Sequence, residues 1–242
     1  MITIGAFLNA IGILLGALFG LARREPLSAR AQISFRNALG AATIFFALRL
    51  VWLSVNGTFL SCLKRLFIAA LAIVLGSLLG KLLGLQKMSN HLGRHATRLL
   101  SSAEKNSSRK MADGFCACTI LFWAAPLGLL GAVADGLAGY YYLLALKGVM
   151  DGLAMTSFVK MFRWPAAMSA IPVFALLGFL TLVCQLYARP FLEARHLTDS
   201  VNAAAGLAAC AVALVIFEVR KVELANFLPS LAVAPLLAWL LK

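Results

Sequence analysis

The sequence predicts an all-α fold, a polytopic bundle of transmembrane helices, and three observations lead to this prediction. Hydrophobic residues make up 62% of the 242 residues and charged residues only 13%, whereas soluble domains are about 45 to 50% apolar. Apolar runs of roughly 20 residues, long enough for a helix to cross the hydrocarbon core, recur along the whole chain. Most of the Lys and Arg residues fall between these runs, so the net charge of +13 indicates membrane topology signals and not a nucleic acid partner.

Eight apolar segments are long enough to be transmembrane spans. They cover roughly residues 2–22, 33–55, 62–84, 114–134, 139–161, 165–187, 199–218 and 224–241. Seven spans is the alternative count, because the last two segments are separated only by the polar stretch EVRKVE. The first span is expected to stay in the mature protein, since no basic region precedes it and GLARREP is a poor cleavage site. We therefore expect residues 1–242 to form a single integral membrane domain.

The distribution of Lys and Arg predicts the orientation of the spans. Fifteen of these residues fall on one side of the predicted membrane and six on the other. The positive-inside rule assigns the richer side to the cytoplasm. Both termini are then predicted to lie outside, at a bacterial plasma (inner) membrane, with a basic cytoplasmic loop at about residues 86–112.

The sequence predicts no metal, no cofactor and no enzyme activity. His91 and His95 in the basic loop are spaced i, i+4, but no Cys, Asp or Glu lies close enough to complete a metal site. A basic amphipathic turn on anionic headgroups explains this loop better. The five cysteines lack zinc or redox spacing, and the motifs G-x-S-x-G, Walker A and H-E-x-x-H are all missing.

Glycines recur with a period of four residues in two of the predicted spans. The first ladder is Gly12, Gly16 and Gly20, and the second is Gly76, Gly80 and Gly84. Small residues at this spacing let helix backbones approach closely within a membrane. We interpret both ladders as packing surfaces that place the first and third spans in a compact bundle.

Asparagines occur in similar short sequences near the two ends of the chain, which suggests a second internal similarity. Asn9 begins NAIG and Asn202 begins NAAAG, while Asn37 is matched loosely by Asn226. An amide without a partner in hydrocarbon costs several kcal/mol. Two interpretations remain open: the amides pair across helices, or an internal repeat encloses a polar site at the membrane midplane, as in many transporters.

The stretch AVADGLAGYYYLLALKGVMDGLAM, residues 132–155, contains ionisable residues in apolar surroundings. Lys147 and Asp151 are spaced i, i+4, so they share one helical face and neutralise each other near mid-membrane. Asp135 is expected near the interface, where its carboxylate is able to cap the start of the fifth span. Gly148 and Gly152 flank the pair and allow a neighbouring backbone or a solute to approach. The pair is either a functional site or a structural salt bridge.

The same central region carries a resemblance. It is similar to the central signature of the YqgA/YdfK-like bacterial inner-membrane family, a family of unknown function (DUF554). The residues that carry it occur in a fixed order: Leu121, Phe122, Gly128, Gly131, Asp135, Gly136, Lys147 and Asp151. The segments NAIGILLGALFG and LANFLPSLAVAPLL extend the resemblance to both ends of the chain. The resemblance implies a multispanning plasma-membrane protein that is often supposed to be a transporter.

Two classes of function follow from these observations. The first is a transporter or channel for a small solute or ion, with binding candidates Asp135, Lys147, Asp151, Asn9, Asn37, Asn202 and Asn226. The second is a structural or regulatory membrane component that transports nothing. The expected partners are the lipid bilayer and a small solute or ion, the sequence leaves a homo-oligomer open, and nothing indicates nucleic acid binding.

Overall fold

The computed structural model describes residues 3–23, 28–105 and 110–241, and every regular element in these residues is helical. Arg24, Arg109 and Lys242, which contribute to the predicted orientation, lie outside the described residues. The helices are α1 Ile4–Ala22, α2 Ala29–Ser54, α3 Phe59–Leu82, α4 Leu85–Lys105, α5 Lys110–Trp123, α6 Pro126–Ala138, α7 Tyr142–Phe162, α8 Trp164–Ala167, α9 Ala170–Val183, α10 Arg189–Glu193, α11 Thr198–Ile216 and α12 Ser230–Leu240. A π turn at Cys184–Ala188 joins α9 to α10, and a 3-10 turn at Leu224–Phe227 precedes α12. The predicted all-α bundle is confirmed.

Six helical segments in the described residues are long and apolar enough to cross a membrane. They are α1, α2, α3, α7, the segment Trp164–Glu193 that joins α8, α9 and α10, and α11. A seventh span results if α5 and α6 are taken together. The last predicted span, 224–241, corresponds to the segment Leu224–Leu240, which is shorter than the six because a 3-10 turn occupies its start and α12 has 11 residues. At 1.5 Å per residue α12 covers about 16 Å, roughly half of the hydrocarbon core.

The α5–α6 segment is bent by 57° at its break. Pro126 is the first residue of α6, and proline lacks the amide hydrogen that would continue the helix. The chain recovers two hydrogen bonds around the break, from the Ala124 amide to the Ile120 carbonyl and from the Gly128 amide to the Ala125 carbonyl. The structure therefore contains a discontinuous helix inside the bundle.

The glycine ladder of α1 packs against α7. A side chain at Gly12 would overlap the Gly148 carbonyl, and one at Gly16 would overlap the Gly152 carbonyl. Residue numbers rise together along both helices, so α1 and α7 run parallel in backbone contact. Gly20 continues the contact at the Thr156 backbone.

The second ladder packs against a different partner. Gly76 touches the Ser230 backbone and Gly80 touches the Asn226 backbone, so α3 runs antiparallel to the 3-10 turn and α12. The two ladders therefore bind α1 and α3 to separate helices. Both ladders therefore lie in close contacts between helices of the bundle. Gly84 lies outside the contact, with open space around it and a φ of +66°.

The contacts between helix ends define two faces of the bundle. On the first face Asp135 contacts Gly5 and Arg65 pairs with Asp199. Leu137 and Ala238 lie in one apolar cluster there, so α12 ends at the face where α1 begins. The second face carries the Arg36–Glu218 ion pair and the contacts of Gln86 with the 3-10 turn. Most of the segment 86–112, predicted to be a basic loop, lies on this second face and forms the amphipathic helix α4.

Candidate functional site

Lys147 and Asp151 form an ion pair within α7. Lys147 is 1% exposed and Asp151 is 7% exposed. Their i, i+4 spacing aligns them on one face of the helix, as the sequence predicts. Asp151 lies near the middle of the 21-residue helix, about 15 Å from either end. The pair is therefore buried close to the midplane of the span.

Asn9 of α1 completes this arrangement. Its amide nitrogen donates a hydrogen bond of 2.9 Å to Asp151 Oδ2, the same oxygen that Lys147 contacts. Gly148 makes this possible, because a Cβ at that position would lie 2.9 Å from Asn9 Cα. We call Asn9, Lys147 and Asp151 the polar cluster. The glycine ladder thus positions the one member of the cluster that comes from outside α7.

The polar cluster lies beside the break between α5 and α6. A Cβ at Gly128, in the first turn of α6, would lie 2.8 Å from Lys147 Cε. The α6 N-terminus carries backbone amides that lack helical acceptors and a partial positive charge. Asn9 Oδ1 is buried and has no hydrogen-bond partner in the described residues. The site therefore combines a salt bridge, a helix end and an unused acceptor.

Asp135 has a different role from the one predicted. Its Oδ2 accepts a hydrogen bond of 3.1 Å from the Gly5 amide, so the carboxylate caps the first turn of α1. At the start of α7 the N-cap residue is Tyr141, and no side chain caps it. The predicted cap on the fifth span is wrong, because Asp135 lies in the last turn of α6 and its carboxylate contacts α1 instead. This contact between residues 130 apart is invisible in the local sequence.

The remaining asparagines do not join the polar cluster. Asn37 is exposed on α2. Asn226 lies on the second face, where its Oδ1 accepts a hydrogen bond of 3.1 Å from the backbone amide of Gln86. Asn202 is buried on α11 and lines a cavity on the first face. The seven predicted candidates therefore do not meet at one site. The asparagines that were matched between the two ends of the chain have different surroundings in the structure.

The first-face cavity has a volume of about 570 Å³ and a polar lining. Arg65 pairs with Asp199 at 2.9 Å, and Arg189 pairs with Glu193 at 2.7 Å, both at its wall. Asn202 Oδ1 is buried there without a hydrogen-bond partner among the described residues. Sequence reasoning counted both arginines only as topology signals. The nearby carboxylates at 193 and 199 were the available sign of a polar pocket.

A smaller cavity of about 360 Å³ lies toward the second face. It borders α2, α7 and the end of α11, and Met150, the neighbour of Asp151, contributes to its wall. The first-face cavity borders α2 and α11 as well. An apolar layer that includes Leu50, Leu130 and Leu143 lies between α2, α6, α7 and α11. Each face of the bundle therefore carries a cavity.

These features define a multispanning α-helical membrane protein with a polar cluster at mid-span. The chain belongs to the family described as Protein of unknown function (DUF554), whose model matches residues 4–239. It is 25% identical over 240 residues to the Uncharacterized membrane protein YdfK of Bacillus subtilis (strain 168), covering 98% of this chain and 96% of the relative. It is 28% identical over 232 residues to the Uncharacterized protein YqgA of Escherichia coli (strain K12), covering 96% of this chain and 94% of the relative. No solved structure matches the chain.

Proposed function

We propose that this protein is a transporter of a small ion or charged solute, with Asn9, Lys147 and Asp151 as its midplane binding site. One observation carries the proposal: a buried Lys–Asp pair lies against the first turn of a broken transmembrane helix. Discontinuous helices at mid-membrane are a recurrent way of forming ion and substrate sites. No catalytic role is proposed for any residue.

The energetics of the pair support binding of a charged species. A lone charge at the bilayer centre costs at least about 3 kcal/mol. Lys147 and Asp151 avoid this cost only while they neutralise each other. A cation at Asp151 or an anion at Lys147 offers the same compensation, and the Asn9 oxygen supplies a further ligand atom. The site is therefore suited to bind an external ion in exchange for the contact between Lys147 and Asp151.

The two cavities support an alternating-access mechanism. One opens toward each face, and both border α2 and α11. The apolar layer with Leu50, Leu130 and Leu143 joins helices that border both cavities, and we take it as the barrier of a closed state. Rearrangement at the α5–α6 break would expose the polar cluster to one side at a time.

Charge displacement measurements test the proposal. The purified protein is reconstituted in liposomes on a solid-supported membrane, and steps in Na⁺, K⁺, pH, chloride and small carboxylates are applied. We expect the wild type to respond to at least one of them and the double variant Lys147→Met/Asp151→Asn to lose that response. Lys87→Met, which removes an exposed cation from α4, should respond as the wild type does.

The outcomes separate the two classes of function. A wild type that responds to none of these steps would overturn the proposal of ion transport. Equal responses from the wild type and the double variant would assign the pair to architecture. In both cases the reconstituted amounts are compared first, so that a loss of protein is not read as a loss of transport.

The proposed location is the bacterial plasma membrane, with both termini outside. A reporter that is active only in the cytoplasm should give signal when fused after Lys110 and none when fused after Lys242. Eight crossings put five spans between these points, so the two fusions lie on opposite sides. The reverse pattern would invert the orientation. The same result at both points would reject the even span count, as it would if the short segment Leu224–Leu240 did not cross.

A further inference from the structure

We propose that a basic cavity on the second face binds the phosphate headgroup of an anionic phospholipid. The cavity has a volume of about 520 Å³ and is remote from the polar cluster. Lys81 enters it from the last turn of α3, and Arg220 and Lys221 enter it from the segment between α11 and the 3-10 turn. We call these three residues the cation set. This inference is independent of the transport proposal.

No carboxylate pairs with the cation set in the part of the chain that the structure describes. Among the described residues, the ion pairs involve Arg36, Arg65, Lys147 and Arg189, and none involves a member of the cation set. Glu223 is the one carboxylate that the described residues bring to the cavity wall, and its Oε2 accepts a hydrogen bond of 2.8 Å from the side chain of Asn226. The cavity therefore carries an excess of positive charge, which favours a phosphate ligand.

The walls of the cavity are fixed by buried contacts. Gly80 lets α3 touch the backbone of Asn226. The backbone amide of Gln86 donates a hydrogen bond of 3.1 Å to Asn226 Oδ1, and the backbone amide of Ala225 donates one of 3.1 Å to Gln86 Oε1. These two hydrogen bonds connect the start of α4, directly after α3, to the 3-10 turn. Lys81 on α3 and Lys221 before the 3-10 turn thus line the same cavity from two elements that are in direct contact.

The surroundings indicate a lipid and not a free phosphate. Leu214 and Phe227 form an apolar part of the wall of the same cavity. Leu78 and Leu82 on α3 are 52% and 82% exposed, as expected for side chains that face acyl chains. A phospholipid satisfies both parts, because its phosphate meets the cations while its chains cover the leucines. Basic pockets between transmembrane helices on the cytoplasmic side are typical headgroup sites.

Native mass spectrometry of the full chain in mild detergent tests this site. Phosphatidylglycerol, diphosphatidylglycerol and phosphatidylcholine are added separately. We expect the wild type to retain one anionic lipid and no phosphatidylcholine, and the triple variant Lys81→Ala/Arg220→Ala/Lys221→Ala to bind the anionic lipids at least tenfold more weakly. Lys81→Arg/Lys221→Arg keeps the charge and should keep the lipid.

The matched control removes the same charge from the same face. Lys87→Ala/Arg94→Ala/Arg98→Ala deletes three exposed cations of α4 and should retain the lipid as the wild type does. Equal loss in both triple variants would overturn the site, since binding would then depend on overall surface charge. Displacement of the bound lipid by inorganic phosphate at low millimolar concentration would overturn the assignment to a lipid. Normal lipid binding by the Lys81→Ala/Arg220→Ala/Lys221→Ala variant would show that the cavity is not the binding site.

Discussion

Asp151→Asn and Lys147→Met will each destabilise the folded protein by about 3 to 5 kcal/mol, the cost of breaking a buried ion pair. Each substitution leaves the other charge uncompensated near the midplane, where Lys147 is 1% exposed. Asp151→Asn also replaces the charged acceptor of the Asn9 hydrogen bond. The amount of monodisperse protein after detergent extraction, and its unfolding midpoint, measure the effect.

The double variant Lys147→Met/Asp151→Asn should recover most of the lost stability, because both charges are then absent. A matched control is the exposed i, i+4 pair of Arg189 and Glu193, whose side chains are 42% and 51% exposed. Arg189→Met or Glu193→Gln should change the unfolding free energy by less than about 1 kcal/mol. Single variants of α7 that are as stable as these controls would show that water reaches the pair.

Gly16→Val will have an effect of similar size, for a steric reason. A Cβ at Gly16 overlaps the Gly152 carbonyl, so α1 must move away from α7 along the whole contact. Overpacking in a tight core costs about 1 to 3 kcal/mol. Here the separation of the two helices also removes the hydrogen bond between Asn9 and Asp151, which increases the expected loss of folding stability. Thermal unfolding followed by size-exclusion chromatography measures it.

Gly93→Ala is the control for this glycine, and its expected effect has the opposite sign. Gly93 lies in α4, where a Cβ would meet nothing within 4 Å. Alanine is favoured over glycine in a helix by about 0.5 to 1 kcal/mol, so this variant should be slightly more stable than the wild type. A Gly16→Val protein that unfolds at the wild-type temperature would mean that α1 and α7 are not in backbone contact.

The sequence predicted what depends on local pattern and missed what depends on distant contacts. Apolar runs of about 20 residues gave the helical bundle, and the i, i+4 spacing gave the Lys147–Asp151 pair. The pairing of Asn9 with Asp151 joins residues 142 apart, which no periodicity reveals. Asp135 was assigned to the nearest helix start, whereas the fold brings it to α1.

The helix break and the short last segment were missed for a related reason. Pro126 is visible in the sequence, but a proline alone does not give the 57° bend, which depends on how α5 and α6 pack. Leu224–Leu240 has the composition of a span, yet its first residues form a 3-10 turn held by Gln86. Apolar composition alone does not distinguish a full crossing from a shorter buried segment.

The contacts of α1 also constrain the order in which the protein assembles. The Gly5 amide and Asn9 find their partners 130 and 142 residues later in the chain. At 5 to 20 residues per second, synthesis separates Asn9 from Asp151 by on the order of ten seconds. During that time the Asn9 side chain lacks its native acceptor, whereas Lys147 and Asp151 are synthesised within four residues of each other. The interface between α1 and α7 is therefore a late step of biogenesis, reached only after the middle of the chain has been inserted.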